Sequence, residues 1–231
     1  MSDQTRCRFW AVVPAAGVGR RLGGDIPKQY RMLADRRVID HSLAHLLAHP
    51  LINTVFVALS EQDTHWPDCD HARDPRVVRV SGGEERCHSV LNALRCVAEQ
   101  AAPDDWVLVH DAARPCLAQT DLARLIDVLR DHPVGGLLGI PVSDTIKEVD
   151  ATGQVTATRS RERLWRAFTP QMFRLGLLLD ALERVVASGG QVTDEAGAVE
   201  AMGHQPLMVE GSAGNIKVTR PEDLVLAEFY L

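Results

Sequence analysis

The sequence predicts an α/β protein: a Rossmann-like, mainly parallel sheet flanked by helices, with an extended β-hairpin arm. Three observations carry this. Apolar strand-like runs alternate with helical patterns over the first 140 residues. The first strand runs into a glycine-rich turn, "VVPAAGVGRRLGGDIPKQY". The alternation then breaks over 142–169, where the chain becomes polar and β-branched around Ala151-Thr152-Gly153.

The elements follow in order. "FWAVVPA" is an apolar strand. "VIDHSLAHLLAHP" has helical spacing. "NTVFVALS" and "RVVRVSGG" are strands, and "ERCHSVLNALRCVAEQ" is helical. "DWVLVHDAARP" is a strand ending in a loop, "TDLARLIDVLRDHP" a helix, and "VGGLLGIPV" a strand. Helical spacing resumes at "MFRLGLLLDALERVVASG". A short helix is expected from Thr193, with Asp194 and Glu195 in its first turn. Thr219 and Glu222 read as a capping box for the last helix, with Pro221 in its first turn. The expected organisation is a single domain over 1–231 with an inserted arm at 142–169. A two-stranded arm is marginal alone, so it should pack on something, a second subunit being one candidate.

Length and composition bound the function. A chain of 231 residues buries roughly 70–75% of its unfolded surface. A net charge of −6 argues against general nucleic-acid binding. No apolar run reaches the length of a membrane span, and "MSDQTRCRFW" lacks the core of a signal peptide. Five scattered cysteines without a C-x-x-C read as reduced thiols in a cytoplasmic protein.

Ligands of parallel sheets sit outside the carboxyl ends of the strands. Three loops should converge there: 14–19, 82–85 and 111–115. The first has neither the third glycine of a dinucleotide loop, since Leu22 stands in its place, nor a Walker Gly-Lys-Ser/Thr. Its backbone can still approach an anion closely, and Arg20, Arg21 and Lys28 supply charge that a pyrophosphate or triphosphate would meet. The plain alternative is a solvated glycine turn. His41, His45 and His49 share a helix face at a spacing that could hold Zn²⁺; a polar face is the simpler reading. His110 reads as structural.

Seven stretches in order, "VVPAAGVGRRL…PKQY", "GGEERCHSVLNAL", "WVLVHDAARPCL", "PVSDTIKEV", "FTPQMF", "TDEAGAVE" and "VEGSAGNIKVTRPEDL", closely resemble the 2-C-methyl-D-erythritol 4-phosphate cytidylyltransferases. The resemblance covers nearly the whole chain and implies CMP transfer from CTP to the sugar-alcohol phosphate. It implies Mg²⁺ bound mainly through the triphosphate, with no metal ligated chiefly by protein. Arg21, Lys28, Arg161 and Lys217 are the implied catalytic cations. Ala15, Ala16, Gly17, Gly83, Glu84, Ser89 and Ala112 are the implied nucleotide contacts, and Asp111, Thr145, Thr169 and Thr193 the substrate contacts. The arm would cross to the second subunit of a homodimer, carrying Thr145 and Arg161 into its site. Some relatives carry a fused cyclodiphosphate synthase domain; with the sequence stopping after its last helix, this chain reads as monofunctional. Two departures stand out. Gly214 replaces the aspartate usual before Asn-Ile-Lys, and "TDEAG" replaces "TDEAS" at Gly197. The competing functions are another sugar-phosphate nucleotidyltransferase, a nicotinamide dehydrogenase using the first loop, and a non-catalytic nucleotide binder.

Overall fold

A computed structural model describes residues 7–17 and 26–231. Its centre is a seven-stranded sheet. The strands are β1 (Phe9–Pro14), β4 (Ile52–Leu59), β5 (Val77–Ser81), β6 (Trp106–Val109), β7 (Gly135–Pro141), β10 (Trp165–Arg174) and β11 (Leu207–Glu210). Their order is β11-β7-β10-β6-β1-β4-β5. β10 runs antiparallel to both its neighbours, and the other pairs are parallel. Between β1 and β4 lies the two-residue hairpin β2 (Met32–Leu33) and β3 (Arg36–Arg37).

The pleat of β1 divides the core. Phe9, Ala11 and Val13 face one layer, which also holds α1 (Val38–Leu47) and α3 (Gln119–Leu129). Trp10 and Val12 face the other, with α2 (Arg86–Ala98), α4 (Leu175–Ala187) and α5 (Glu195–Ala201). β6 repeats the pattern, with Trp106 and Leu108 on the first face and Val107 and Val109 on the second. That is why these runs are apolar throughout: both faces are covered. A small third cluster joins Leu33 and Val38 to Val218, in the loop before α6 (Pro221–Tyr230), and to Ala227 within that helix.

The chain builds β1, β4 and β5 outward to one edge, then returns through α2 to place β6 on the other side of β1. The crevice at the carboxyl ends of β1 and β6 is thus the switch point where ligands of such sheets bind.

Several boundaries differ from the sequence reading. Met172 and Phe173 close β10 instead of opening a helix; α4 starts at Leu175. Both are fully buried against β6 and β7, and a run apolar on both faces fits helix and strand spacing alike. Pro170, which cannot donate a ladder bond, sits where the β10–β7 register shifts between Ala167 and Gln171. α5 starts at Glu195, because Asp194 is its cap and accepts the Gly197 N–H at 3.0 Å. At α6 the carboxylate that accepts from Thr219 and Arg220 N–H is Asp223, at 2.7 and 2.8 Å, and not Glu222. Glu222 points to the exposed Arg220 guanidinium at 3.9 Å.

The inserted arm is β8 (Ile146–Val149) paired with β9 (Val155–Arg159), a separate two-stranded sheet. Val142 N–H donates to Leu164 O at its neck, beyond which Trp165 enters the main sheet opposite Pro141. Val149 and Val155 are more than half exposed on it. No helix among the described residues is long and apolar enough to cross a membrane.

Candidate active site

Two adjoining cavities open at the switch point. The first, of about 210 Å³, lies between the loops after β1, β5 and β6. The second, of about 220 Å³, lies between the loop after β6, the Ala167–Gln171 segment of β10 and the start of α5. Arg86, Asp111 and Lys217 line both and form the wall between them.

The first cavity is shaped by close backbone approach. A Cβ on Gly82 would lie 2.3 Å from Cβ of Ala16, so only glycine lets the loop after β5 meet the loop after β1. Ser89 Oγ accepts from Gly83 N–H at 3.0 Å and donates to Glu85 O at 3.1 Å. Its single proton is therefore spent within the loop, and Ser89 shapes the turn that carries Gly83 and Glu84. Across the cavity the buried Gln29 amide donates to Ala15 O at 2.8 Å and Gly17 O at 3.2 Å. This fixes the start of the glycine-rich loop, beside Lys28 on the same single turn of 3₁₀ helix.

The shared wall is a charge cluster. Asp111 Oδ2 lies 2.8 Å from Lys217 Nζ and 3.5 Å from Arg114 Nε; Oδ1 accepts from Arg86 Nε at 3.0 Å. Burial alone would raise the Asp111 pKa, but Arg86, Lys217 and Arg114 outweigh it and hold the carboxyl well below the usual range. Arg86 also makes a bidentate pair with Glu195, at 2.6 and 3.0 Å, and Glu195 is 1% exposed. Burial disfavours the Arg86 charge, yet Glu195 and Asp111 overcome this and raise its pKa.

A second network holds this wall. Burial lowers the His110 pKa to about 4, so the ring is neutral at pH 7. Its Nε2 lies 3.1 Å from Arg114 O, which can only accept, so Nε2 carries the hydrogen. Nδ1, 3.1 Å from Thr169 Oγ1, is then the acceptor, and Thr169 donates to it. Thr169 Oγ1 in turn accepts from Asp111 N–H at 2.9 Å. The Asn215 side-chain amide donates to Thr169 O at 2.9 Å, while the Asn215 backbone carbonyl accepts from Arg114 at 2.7 Å. His110 is thus a structural member of the loop, as the sequence suggested, and Lys217 stands on a segment tied at Asn215 and Val218.

Most of the expected residues meet here. Ala15, Ala16, Gly17, Lys28, Gly83, Glu84, Ser89 and Ala112 line the first cavity. Thr169 and Thr193 line the second. Asp111 and Lys217 line both. Arg20 and Arg21 lie outside the described residues. Thr145 and Arg161 are exposed on the arm and line neither cavity of their own chain; the Arg161 guanidinium donates to Ser143 O. Sequence reasoning missed Gln29, Arg86 and the pairing role of Glu195. For Gln29 the "PKQY" motif was a signal; for the Arg86–Glu195 pair, 109 residues apart, there was none.

α1 ends at Leu47, so His49 lies beyond it and only His41 and His45 share its face. His41 Nε2 contacts Leu33 O at 2.9 Å, and burial lowers the pKa of His45 and His49. Glu85, Cys87 and His88 place ligand-type atoms near one another, but Glu85 and His88 cap each other's backbone at the start of α2.

Two adjoining cavities that share a wall of Arg86, Asp111 and Lys217, the first lined by Ala15, Ala16 and Gly17 after β1, suit a nucleotidyltransferase-type site. The family model described as "IspD: 2-C-methyl-D-erythritol 4-phosphate cytidylyltransferase" matches residues 9–231. The chain therefore belongs to that family. A relative of the same name from Hahella chejuensis is 51% identical, covering 97% of this chain and 93% of its own. One from Pseudomonas putida is 55% identical over 94% and 92%. The Francisella tularensis crystal structure of that name superposes with a TM-score of 0.85 at 36% identity, covering 97% of this chain and all of its own. Family membership removes the dehydrogenase and non-catalytic readings.

Proposed function

We propose that the protein transfers CMP from CTP to 2-C-methyl-D-erythritol 4-phosphate, giving 4-diphosphocytidyl-2-C-methyl-D-erythritol and pyrophosphate in isoprenoid precursor synthesis. The carrying observation is the shared wall: Lys217 and Arg86 face both cavities from one buried carboxylate. A phosphate oxygen of the sugar-alcohol phosphate attacks the α-phosphorus of CTP. The new P–O bond forms as the α–β bridging bond breaks, and the electron pair leaves with pyrophosphate. The nucleophile arrives ionised, so no general base is required. The chain's task is to bring two anions together and to meet the charge that builds up, by positioning and preplaced cations.

In this reading the cytidine lies against Ala15, Ala16, Gly83, Glu84 and Ala112. Lys28, with Arg21, meets the triphosphate, and Lys217 meets the incoming phosphate beside Asp111, Thr169 and Thr193. Mg²⁺ rides mainly on the triphosphate. Both Asp111 oxygens already face cations, which leaves that carboxylate at most a supporting ligand and suits an ion held by phosphate oxygens. When bound, the ion neutralises phosphate charge. We further propose a homodimer whose arms exchange, so that Thr145 and Arg161 complete the partner's site. Both are exposed and line neither cavity of their own chain, which supports this. The scattered, unpaired cysteines favour a cytoplasmic setting.

The test is pyrophosphate release with each of four nucleoside triphosphates, with and without methylerythritol phosphate. Release is expected with CTP and the acceptor together. CTP should exceed UTP clearly, because a buried partner of the cytosine amino group left unpaired costs about 1–3 kcal/mol. Equal kcat/KM for CTP and UTP would overturn the base assignment.

A further inference from the structure

We propose that Arg86, clamped by the buried Glu195 carboxylate, is a positioning residue that fixes Asp111, and through it Lys217, at the boundary between the two cavities.

The inference rests on the proposed reaction and on geometry. The Arg86 guanidinium uses three donors on two carboxylates from distant parts of the chain. Its two terminal nitrogens grip Glu195 at the first turn of α5, and Nε holds Asp111 Oδ1 after β6. Arg86 itself opens α2, directly after the loop carrying Gly83 and Glu84. One planar group therefore ties the nucleotide loop, the substrate-side helix and the catalytic wall. Glu195 is 1% exposed and offers nothing to a ligand; burial pushes its pKa up and Arg86 pulls it down, and both of its oxygens are taken by the Arg86 fork, so it serves the clamp. Asp111 is pulled by Arg86 through one oxygen and by Lys217 and Arg114 through the other. The balance of these pulls sets where Lys217 Nζ stands. If Glu195 loses its charge, Arg86 is held on one side only and is free to draw Asp111 away from Lys217. Lysine at 86 would keep the charge yet could not bridge both carboxylates in this fork. A displacement of about 1 Å at such a site can cost on the order of 10²-fold in rate.

The experiment uses the full chain and two mild variants, Glu195→Gln and Arg86→Lys. Turnover with CTP and methylerythritol phosphate, CTP affinity by calorimetry and thermal unfolding are measured on each. Both variants should lose about 10–100-fold in kcat, while CTP affinity stays within about threefold and unfolding remains cooperative, with Tm lowered by about 5–15 °C because one partner of a buried pair is weakened. Full activity in either variant overturns the proposal; in Arg86→Lys it would mean that charge alone suffices. A loss of rate matched by lost CTP binding or by a loss of cooperative unfolding also overturns it, since the pair would then be a support of the fold. If one variant does not fold, the other decides. An inactive wild type would instead refute the proposed reaction, so the two failures are distinguishable.

Discussion

Lys217 Nζ stands 2.8 Å from Asp111 Oδ2, where the loop before α6 meets the loop after β6. The lysine is more than a third exposed and faces both cavities, whereas Asp111 is 9% exposed behind it. Asp111 thus holds the ammonium in place without covering it. Lys28 lines the first cavity only.

This asymmetry predicts two kinds of loss. Lys217→Ala and Lys28→Ala should each lower kcat by roughly 10²–10³, the scale for one preplaced electrostatic donor. Lys217→Ala should also raise KM for methylerythritol phosphate, and Lys28→Ala should leave that KM within a few-fold. Steady-state kinetics on folded variants checks both. Near-normal turnover in either would remove that lysine from the mechanism.

His110 makes folding stability depend on pH. Its ordinary pKa is 6.5, and burial lowers it to about 4 in the folded chain. Between these values the unfolded chain binds a proton that the folded chain refuses. Stability therefore falls as pH drops from 6.5 toward 4 and levels off below. The His110 share is about 2 kcal/mol lost by pH 5 and about 3 kcal/mol by pH 4. His45 and His49 act in the same direction, so the comparison must be with His110→Gln. Urea unfolding at pH 7 and pH 5 should show the wild type losing about 2 kcal/mol more than the variant. Equal losses would mean that the folded chain takes up the His110 proton as readily as the unfolded chain does.

Much of this site was legible before any coordinates. Central strands such as β1 and β6 are covered on both faces, so their apolar runs are unmistakable, and the loops that follow them are fixed by strand direction. Ala15, Gly83 and Asp111 lie on such loops after strands, whereas Lys217, between β11 and α6, was assigned only through the family resemblance. What escaped was long-range or short. β11 has four residues, and β10 contains Pro170 and blends into α4. Side-chain direction also escaped. Gln29 could as well have faced solvent, and nothing local says that Arg86 reaches Glu195. The choice of Asp223 over Glu222 as the capping acid depends on one residue of helical phase.

Gly214 offers a test of a departure noted in the sequence. A Cβ there would lie 2.9 Å from Cδ1 and 3.2 Å from Cγ of Tyr230, near the root of that ring. The aspartate that the resemblance implies at this position cannot enter without displacing the Tyr230 ring. Gly214→Asp should destabilise the protein by about 1–3 kcal/mol, the usual cost of overpacking. In a Tyr230→Ala background the same change should cost much less. Denaturant unfolding of the four members of this cycle measures the coupling. Equal costs in both backgrounds would show that Tyr230 does not block the site.

The arm gives the sharpest prediction about assembly. Arg161 and Thr145 stand exposed on it, away from both cavities of their own chain. If arms exchange in a two-fold dimer, each site takes Lys217 from one chain and Arg161 from the other. Lys217→Ala and Arg161→Ala homodimers should then both be nearly inactive. In a mixed dimer one site carries both defects, and the other has an intact Lys217 and an intact Arg161. Random mixing of equal amounts makes about half the dimers mixed, each with one working site of two. About a quarter of wild-type activity should therefore return after co-refolding. Tagged chains confirm that subunits have exchanged. If each arm serves its own chain, every site keeps one defect and mixing restores nothing. Confirmed exchange without recovery would sink the shared site and leave the cytidylyltransferase reading intact, since that reading rests on the wall formed by Arg86, Asp111 and Lys217 within one chain.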